Sequence, residues 1–540
     1  MIRLGTAIAA VASGLLVYHW TGARTLWLDE EMIAANVRDR GFADLVGQLW
    51  LGQTAPLGWL FLQRGMLLAF GTSEIALRFV PMFFGLATLA ATVWIGRRWM
   101  TAIGGAALTF LCASGYWVAY HFLELKQYSA DAFWGLLIPV LAAAAVEPIN
   151  APPQPRLRRV TTWWTLATIG QFFAVGAIFV TPASALAILA IVWRRDGARW
   201  ALQAALPGAA WLAGVGIHYW LALRAAAESR YLQDYWAPFM PPGSAGVVDS
   251  LRWIMSRLGP LADKPGGADG QMIFWLAALG GVVIAWRQSR LALFVSLVPL
   301  SAVVWTLFRL VPLGDRVSLW MIPALYVGIA LAIDGAVRVW SSGTRRTGAS
   351  IVATGVTGLV GVMALLEIAN GRGVLIRGRE AANHDLDDRS AVQWLMAQRE
   401  TGDALVSTRN GLPAIWWYGS IPIRVPKVHP DGGPIFELAQ VDAPCDHRSI
   451  ATMLRGQRRV LVYLGWIDDR FIGLEELLLP RLREIGTIVA SRDFARGRGL
   501  VVDLRTPVAA AAFPPPADAG PGPGASRLDG CLQLRPARRW

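Results

Sequence analysis

The amino-acid sequence predicts an α-helical polytopic membrane protein with a C-terminal extracytoplasmic α/β domain. Hydrophobic residues make up 55% of the 540 residues and charged residues 16%, whereas a soluble protein carries about 25% charged residues. Such a chain has too little polar surface to cover several water-exposed domains, and its hydrophobicity excludes a disordered chain. Its 26 tryptophans are typical of the aromatic belts at membrane–water interfaces.

Apolar stretches recur as far as residue 369 and then stop. A helix that crosses the bilayer needs about 20 apolar residues, and the sequence predicts about eleven transmembrane helices. We expect the short sixth span to form a tight hairpin with the fifth at Thr181-Pro182. The predicted spans are 4–20, 78–95, 102–120, 129–146, 162–180, 181–193, 204–222, 271–286, 291–308, 318–337 and 348–369.

One further apolar stretch, residues 55–70, is ambiguous, and the arginines decide between its two interpretations. If it does not cross, every arginine cluster from Arg97-Arg98 to Arg345-Arg346 lies in a cytoplasmic loop, as the positive-inside rule requires. If it crosses, all of these clusters lie outside. We therefore predict a juxtamembrane or re-entrant helix at 55–70, a cytoplasmic N-terminus and an outer C-terminal domain.

The net charge of +13 follows from the same arginines. Because they fall in inner loops, a nucleic-acid partner is disfavoured. The N-terminal segment has no convincing cleavage site ahead of Trp27, so we expect an uncleaved anchor. The predicted location is the cytoplasmic (inner) membrane, in which the chain passes several times.

The domains follow from the large outer segments. Residues 1–369 form a transmembrane domain with outer loops 21–77 and 224–270, residues 370–507 form the α/β domain, and residues 508–540 form a Pro/Ala/Gly linker and tail. Within the α/β domain, apolar patterns predict both strands and helices. The strands are 403–409, 421–428, 458–466 and 486–494, and the helices are 390–400 and 474–485.

Three cysteines are too few for a disulfide framework or a zinc cluster. Cys445 and Cys531 both lie in the predicted outer domain, where the compartment is oxidising, so they either pair or remain two thiols. Cys112 lies within a span, and its expected role is packing. The six histidines contain no HxxxH pair that would suit a transition metal.

Three carboxylates, Asp29, Glu30 and Glu31, stand just after the first span. Ionised groups at a membrane face are costly unless they are solvated or paired. A functional site is one interpretation, although the triplet alone favours the simpler alternative. The alternative is a solvated loop start, or a cap for a helix at 31–38 with Asp29 at its N-terminus.

The second outer loop carries His121, Glu124, Lys126, Tyr128 and Asp131 at one membrane boundary. On a continuous helix, Glu124, Tyr128 and Asp131 share one face at spacing i, i+4, i+7, and Lys126 points elsewhere. This crowding favours a site. The alternative is an interfacial turn whose long side chains reach toward water.

Arg309 and Arg316 lie between two late spans on the predicted outer side. Positive charge there runs against the positive-inside bias and needs a reason. Binding of an anionic group such as a lipid phosphate is one reason. Pairing with Asp315 or with lipid head groups is the other, and the sequence leaves both open.

Several short segments occur in a characteristic order. They are Asp29-Glu30, Ala55-Pro56-Leu57, Ser73 with Ala76-Leu77-Arg78 and Pro81, Gly96-Arg97-Arg98, the ELKQYSAD run at 124–131, and Pro312 with Gly314-Asp315-Arg316. This order resembles the GT-C superfamily of integral-membrane glycosyltransferases, in particular the bacterial branch related to protein mannosyltransferases and aminoarabinose transferase. The resemblance covers about residues 1–340 and depends on order and topology rather than on one specific motif.

The resemblance implies an enzyme that transfers a sugar from a polyprenyl-phosphate donor, usually with inversion, to an acceptor outside the cytoplasm. It implies that Asp29 is the general base and that Glu30 positions the acceptor or supports the base. The second-loop residues His121, Glu124, Tyr128 and Asp131 would position substrate. Many relatives carry an arginine in this motif, where the present chain has Glu124-Leu125-Lys126, so the role of Lys126 is open.

The residue types in these segments are suited to this reaction. A sugar hydroxyl is a poor nucleophile, so a carboxylate must take its proton as it attacks. The departing lipid phosphate needs cations where its charge grows, and Lys126, Arg309 and Arg316 can supply them. We expect no metal cofactor. The alternative is Mg²⁺ or Mn²⁺ with Asp29 among its oxygen ligands.

Two other functions compete with transfer from a monophosphate donor. A flippase or carrier for a lipid-linked sugar is expected to place ionisable residues near mid-membrane in repeated halves, whereas these carboxylates flank the outer boundary and no repeat is visible. The sequence distinguishes poorly between this transferase and an envelope-glycan polymerase or ligase that uses a diphosphate-linked donor. The expected partners are the lipid-linked donor, a glycan, lipid or protein acceptor, and membrane lipids.

Two aromatic segments are weaker candidates. Ile415-Trp416-Trp417-Tyr418 is interpreted either as a sugar-stacking platform or, more simply, as core packing. Residues 228–240 lie in the large outer loop, where they either cover the active site or rest in the head-group layer.

Overall fold

The computed structural model describes most of the chain. The described residues are 3–147, 152–286, 289–342, 348–370, 386–423, 432–441, 449–465, 474–504 and 531–537.

Helices dominate the described residues. In chain order they are α1 (Arg3–Thr21), α2 (Leu28–Asp39), α3 (Leu57–Phe70), α4 (Glu74–Trp99), α5 (Ala102–Ser114), α6 (Tyr116–His121), α7 (Tyr128–Val146), α8 (Pro153–Gly170), α9 (Val175–Asp196), α10 (Ala198–Ala205), α11 (Gly208–His218), α12 (Arg224–Ala227), α13 (Arg230–Trp236), α14 (Val247–Asp263), α15 (Gln271–Ala285), α16 (Arg290–Leu307), α17 (Ile322–Ser342), α18 (Gly348–Asn370), α19 (Asp388–Ala397), α20 (Leu412–Tyr418), α21 (Ser449–Met453) and α22 (Leu474–Ile485).

The chain divides into two compact units. The first, which we call the membrane unit, comprises Met1–Ala23 and Phe42–Asn383. The second, which we call the sheet unit, comprises Arg24–Gly41 and His384–Trp540. The α2 helix therefore groups with the C-terminal residues rather than with its neighbours in sequence.

The membrane unit confirms a multi-pass helical membrane protein, but the predicted count of eleven spans is not confirmed. Three apolar helices, α3, α5 and α15, have fewer than 18 residues. Eight helical stretches among the described residues are long and apolar enough to cross a bilayer: Leu4–Thr21, Glu74–Trp99, Tyr128–Val146, Val175–Asp196, Ala198–Ala227, Arg290–Leu307, Asp315–Ser341 and Ser350–Asn370.

The predicted hairpin at Thr181-Pro182 is wrong. The α8 helix ends at Gly170, and α9 runs without a break from Val175 to Asp196 with Pro182 inside it. A proline is tolerated in a membrane helix when local groups satisfy the backbone that it disturbs. The Thr181 hydroxyl, next to this proline, donates to the Ala177 carbonyl at 2.6 Å.

Glycines let three elements of the membrane unit approach closely. A Cβ atom at Gly135 of α7 would lie 2.0 Å from the Trp320 carbonyl oxygen, and one at Gly176 of α9 would lie 2.3 Å from the Trp320 Cβ. Trp320 belongs to a 3₁₀ turn, Asp315–Met321, which leads into α17. Small residues at helix contacts allow this packing in membranes. The contact holds the 3₁₀ turn beside α7, and so places Arg316 near Tyr128.

The sheet unit contains a six-stranded mixed sheet with the order β4-β5-β3-β1-β2-β6. Central β1 pairs in parallel with β2 and β3, and all other pairs are antiparallel. Strand β1 is buried throughout, as expected of a central strand covered on both faces. The strands are β1 (Ala404–Thr408), β2 (Ile435–Val441), β3 (Arg459–Gly465), β4 (Gly486–Phe494), β5 (Gly497–Leu504) and β6 (Cys531–Pro536).

The predicted α/β domain is therefore confirmed, with differences in detail. The strands predicted at 403–409, 458–466 and 486–494 are β1, β3 and β4, and the predicted helices are α19 and α22. Residues 421–423 of the predicted strand at 421–428 do not form a strand, and residues 424–428 lie outside the described residues. Strands β2, β5 and β6 were not predicted.

Candidate functional site

The segment Asp29-Glu30-Glu31 lies at the start of α2, which begins at Leu28 rather than at residue 31. Glu30 reaches back, so that its Oε2 accepts the backbone N–H of Trp27 at 2.8 Å. This is the acidic half of a capping box. Arg24 Nη2 lies 3.8 Å from the same oxygen. The helix cap is therefore supplied by Glu30, and the expectation that Asp29 supplies it is wrong.

The three acidic residues differ in burial as whole residues, although both carboxylate oxygens of Asp29 are enclosed. Glu30 and Glu31 are fully buried, whereas Asp29 is intermediate. Residues two apart on an α-helix point about 200° away from each other. Glu31 and Asp29 therefore face nearly opposite sides of α2, and Asp29 has the greatest exposure of the three.

The other end of α2 is bonded to residues of α20 and the segment after it. Arg38 donates from Nη1 to the Trp416 carbonyl and from Nη2 to the Ile421 carbonyl, each at 2.8 Å. The Ile423 N–H donates to Asp39 Oδ2, also at 2.8 Å. These charge-assisted bonds fix α2 on the sheet unit.

The aromatic run at 415–418 is part of this contact. Trp416 is fully buried and Trp417 is 7% exposed, with the Arg38 guanidinium 5.5 Å from the Trp417 ring centroid. The Tyr418 hydroxyl accepts the Leu26 N–H at 2.8 Å. The segment packs in the interior, so core packing is correct and an open sugar-stacking platform is not.

Glu31 makes the third link between α2 and the C-terminal residues. Its carboxyl group faces that of Asp388 at the start of α19, and the Tyr463 hydroxyl of β3 donates to Asp388 Oδ1. All three side chains are buried. Two ionised carboxylates have only acceptors, so Glu31 and Asp388 hydrogen-bond each other only when one of them is protonated.

Burial favours the protonated form. It raises the pKa of Glu31 well above its usual value, and the neighbouring Asp388 carboxyl raises it further. Burial raises the pKa of Asp388 to about 7, although the hydrogen bonds with Tyr463 and Glu31 lower it. The pair therefore keeps at least one proton through the acidic to neutral range.

In the membrane unit, the second outer loop is not one helix. The α6 helix ends at His121 and α7 begins at Tyr128, with Glu124 and Lys126 in the turn between them. The Lys126 N–H donates to the Glu124 carbonyl at 2.7 Å, a bond two residues back that no α-helix makes. The predicted common helix face for Glu124, Tyr128 and Asp131 is therefore wrong.

The turn nevertheless gathers four side chains, His121, Glu124, Tyr128 and Arg316, which we call the second-loop cluster. His121 Nδ1 hydrogen-bonds Glu124 Oε2, and the His121 and Tyr128 ring centroids are 4.9 Å apart. Arg316 Nη1 lies 3.9 Å from Glu124 Oε1, and its guanidinium lies 5.6 Å from the Tyr128 ring centroid. The His121 and Glu124 side chains are 2% exposed, whereas that of Arg316 is 23% exposed. Arg316 is thus the most accessible charge of the cluster.

Lys126 and Asp131 make their contacts outside the second-loop cluster. Lys126 Nζ donates to Gln53 Oε1 at 2.6 Å. Gln53 lines a small surface cleft together with Thr54 and Ser229. Asp131 is buried, and its Oδ1 accepts the Gly176 N–H at 2.8 Å, at the start of α9. A carboxylate suits a helix N-terminus, so this contact of Asp131 is structural.

Arg309 also makes its contact outside the second-loop cluster. Its Nη1 donates to the Pro241 carbonyl. Asp315, the anionic partner considered for these arginines, lies 3.0 Å from Lys264 Nζ. Its Oδ1 also accepts the Arg316 backbone N–H at 2.7 Å.

Sequence patterns missed Asp388, Tyr463 and Gln53. Asp388 follows Asp387, whose side chain caps α19 by accepting the Ser390 N–H at 3.4 Å. A helix start of this kind, Asp387-x-x-Ser390, predicts a helix N-terminus. It does not predict that Asp388 forms a buried pair with Glu31, which is far away in the sequence. Gln53 stands close to the motif Ala55-Pro56-Leu57 and has no chemical signal of its own.

Among the residues that the structure describes, no three His, Cys, Asp or Glu side chains are grouped as metal ligands would be. The considered pairing of Cys445 with Cys531 involves Cys445, which lies outside the described residues. Cys112 is a buried thiol in α5.

The chain shares its fold with ArnT, and this likeness agrees with the GT-C-like fold that the sequence predicted. The chain is similar to the crystal structure of ArnT from Cupriavidus metallidurans in the apo state, with a TM-score of 0.52, 14% sequence identity, and coverage of 92% of this chain and 97% of ArnT. It is also similar to the same protein bound to undecaprenyl phosphate, with a TM-score of 0.55, 15% identity, and coverage of 94% and 99%. No protein-family model and no curated relative matches the sequence.

Proposed function

We propose that the protein is a membrane glycosyltransferase that moves a sugar from a polyprenyl-phosphate donor to an envelope acceptor. The observation that carries the proposal is a likeness of fold over more than nine tenths of both chains to ArnT, one structure of which holds undecaprenyl phosphate. The acceptor is a glycan, a lipid or a protein on the outer face of the inner membrane.

Asp29 is proposed as the general base. Glu30 is committed to the start of α2 and Glu31 to Asp388, so each has a structural task. Asp29 takes the proton of the acceptor hydroxyl while that oxygen bonds the anomeric carbon and the bond from this carbon to the phosphate oxygen breaks. A single displacement of this kind inverts the anomeric configuration.

Lys126 and Arg316 are proposed to stabilise the donor phosphate, with Arg309 as a third candidate. The phosphate gains negative charge as the sugar leaves, and a preorganised cation stabilises that charge most at the transition state. Arg316 is held in place by Glu124 and Tyr128, and Lys126 by Gln53. His121 and Glu124 act by orienting Arg316. Asp131 is proposed to act only through the position of α9.

The donor set at the carboxylates fits a divalent ion poorly. Hard cations such as Mg²⁺ bind through several oxygens, and here Glu30 accepts a backbone N–H while Glu31 shares a proton with Asp388. Asp29 alone is too few ligands. We therefore propose transfer without a metal. A chelator added to membranes should leave the transfer rate within about twofold, because the protein holds no catalytic metal for it to remove.

The test compares a deletion strain with the same strain carrying the wild-type gene or Asp29→Asn. Polyprenyl-phosphate lipids and envelope glycans are extracted and analysed by mass spectrometry. We expect the deletion and the Asp29→Asn strains to lose the same sugar from one envelope component and to accumulate the monophosphate-linked donor. Immunoblots of membranes control for equal insertion.

Three results would contradict the proposal. A deletion strain with unaltered glycans and lipids would remove the transferase. A deletion phenotype with normal Asp29→Asn would favour a carrier for the lipid-linked sugar, and accumulation of a diphosphate-linked donor would favour a polymerase or ligase.

A further inference from the structure

The sheet unit holds α2 through a buried polar chain that the reaction itself does not use. Tyr463 donates to Asp388, and Asp388 faces Glu31 on α2. The three residues are at most 1% exposed. Each comes from a different element, namely the central strand β3, the start of α19 and the first turns of α2.

This chain is energetically expensive. Burying a carboxyl group costs several kcal/mol by order of magnitude unless its hydrogen bonds are satisfied, and an apolar pair of similar volume is often as stable or more stable. Apolar packing, however, tolerates sliding and rotation, whereas a hydrogen bond between two carboxyl groups accepts a narrow range of distances and angles. The hydrogen-bonded pair is therefore better suited to fixing the orientation of α2 than to strengthening its attachment to the rest of the sheet unit.

The orientation matters at Asp29, which stands two residues before Glu31 on α2. A helix moves as a rigid body over such a distance, so a rotation of Glu31 about the helix axis carries Asp29 with it. Arg38 fixes the other end of α2 by its bonds to Trp416 and Ile421. Glu31 is thus the anchor nearest to Asp29.

We propose that Asp388 and Tyr463 are positioning residues for sugar transfer, which act through Glu31 to set the orientation of α2 and so of Asp29. The inference rests on the proposed role of Asp29 as base. It gives the C-terminal domain a part in the chemical step, besides any part in choosing the acceptor.

The test uses the full-length protein in membranes and donor lipid purified from the Asp29→Asn strain. Asp388→Leu keeps the branching at Cγ and removes the hydrogen bonds, whereas Asp388→Asn keeps partners for both Glu31 and Tyr463. We expect Asp388→Leu to lower kcat by about tenfold or more, because small misplacements of a reacting group cost that much, with the donor KM within about twofold. Asp388→Asn should restore most of kcat, and Tyr463→Phe should lie between them.

A matched control is Asp403→Leu, which removes another buried carboxylate of the sheet unit. Asp403 accepts the Glu400 N–H at 2.8 Å and lies on no path to α2 among the contacts described above. We expect this variant to lose stability and to keep kcat. Hydrogen–deuterium exchange over residues 28–39 gives a readout that needs no substrate, and only Asp388→Leu should increase it.

The outcomes separate this inference from the proposed function. If Asp29→Asn abolishes transfer while Asp388→Leu keeps wild-type kcat, or exchange in α2 is unchanged, the positioning role is wrong and the transferase stands. An equal loss of kcat in Asp403→Leu would reduce Asp388 to a general stability role. If Asp29→Asn keeps wild-type transfer, the base assignment fails first, and the positioning role with it.

Discussion

At the scale of single residues, the two cations that we propose for the donor phosphate, Arg316 and Lys126, have different neighbours. Arg316 is placed by a carboxylate and an aromatic ring, whereas Lys126 is placed by an amide oxygen. A guanidinium can bond a phosphate through two N–H groups at once, and an ammonium acts as a point charge. Their contributions should therefore be separable by mutation.

We expect Arg316→Ala and Lys126→Ala each to raise the donor KM by about tenfold, since a hydrogen bond to a charged group is worth about 1.5–3 kcal/mol. The acceptor KM should change less, because the lost partner is the phosphate. Initial rates with purified donor lipid measure both constants. Arg252→Ala, an exposed arginine of α14 paired with Asp249, is the control, and an unaltered donor KM in both test variants would contradict the phosphate role.

The shared proton of Glu31 and Asp388 makes stability depend on pH in a defined direction. The folded-state pKa of Asp388, about 7, is above the value of 3.8 that it has when exposed. Stability from this group is thus fully present below about pH 4 and is lost as the pH rises toward 7, at about 1.4 kcal/mol per pH unit for one proton.

Asp388→Asn cannot titrate, so its free energy of unfolding should fall less steeply between pH 4.5 and 7 than that of the wild type. Tryptophan fluorescence of the detergent-solubilised protein during denaturant unfolding measures the difference. Because other carboxyl groups titrate in both proteins, the informative quantity is wild type minus variant. Parallel pH profiles would mean that Asp388 carries no shared proton.

At the scale of elements, α2 is the part of the structure on which the proposed chemistry depends most. It has 12 residues, a length at which an isolated helix is marginal in water. Its stability must therefore come from its contacts, which include the buried side chains of Ile33 and Val37, the Arg38 bonds at one end and the Glu31 contact near the other.

Arg38→Ala removes two charge-assisted bonds to backbone carbonyls, and we expect it to lower the free energy of local opening of α2 by about 3 kcal/mol. Hydrogen–deuterium exchange of residues 28–39 measures this quantity. Arg481→Ala serves as the comparison, because Arg481 and Glu484 form a largely exposed pair on α22 and such pairs contribute less than about 1 kcal/mol. Similar exchange in the two variants would show that Arg38 is not an anchor.

The elements also show which features a sequence can reveal. Long apolar stretches and the strands at β1, β3 and β4 were recognised, because hydrophobic patterning is local. The position of the α8–α9 turn was not, since Pro182 looks like a helix breaker in sequence but is accommodated within a membrane helix. The pairing of Glu31 with Asp388 joins residues from opposite ends of the chain, and no local pattern encodes it.

The candidate site was predicted in composition but not in geometry. Periodicity grouped Glu124 with Tyr128 and Asp131, whereas the structure groups Glu124 with His121, Tyr128 and Arg316. The turn at Lys126 and the packing of Trp320 against Gly135 and Gly176 decide this arrangement. Both depend on tertiary contacts.

At the scale of the whole molecule, the proposed topology places the arginine-rich loops in the cytoplasm and the sheet unit outside. Single cysteines at exposed positions test it in a chain without native cysteines. A membrane-impermeant maleimide should label Ser256→Cys and Thr401→Cys in intact spheroplasts, because both positions are expected outside. Arg194→Cys should be labelled only after permeabilisation, since it lies in an arginine cluster expected inside. The reverse pattern would invert the orientation.

The sheet unit is discontinuous in sequence, because Arg24–Gly41 folds with His384–Trp540. During synthesis, α2 therefore emerges early, and several hundred residues must follow before its partners Trp416, Asp388 and Ile421 exist. A chain that ends before residue 384 lacks these partners, and with them the contacts on which the proposed role of Asp29 depends. For the same reason, a chimera that exchanges C-terminal domains between proteins of this fold must transplant residues 24–41 together with the domain.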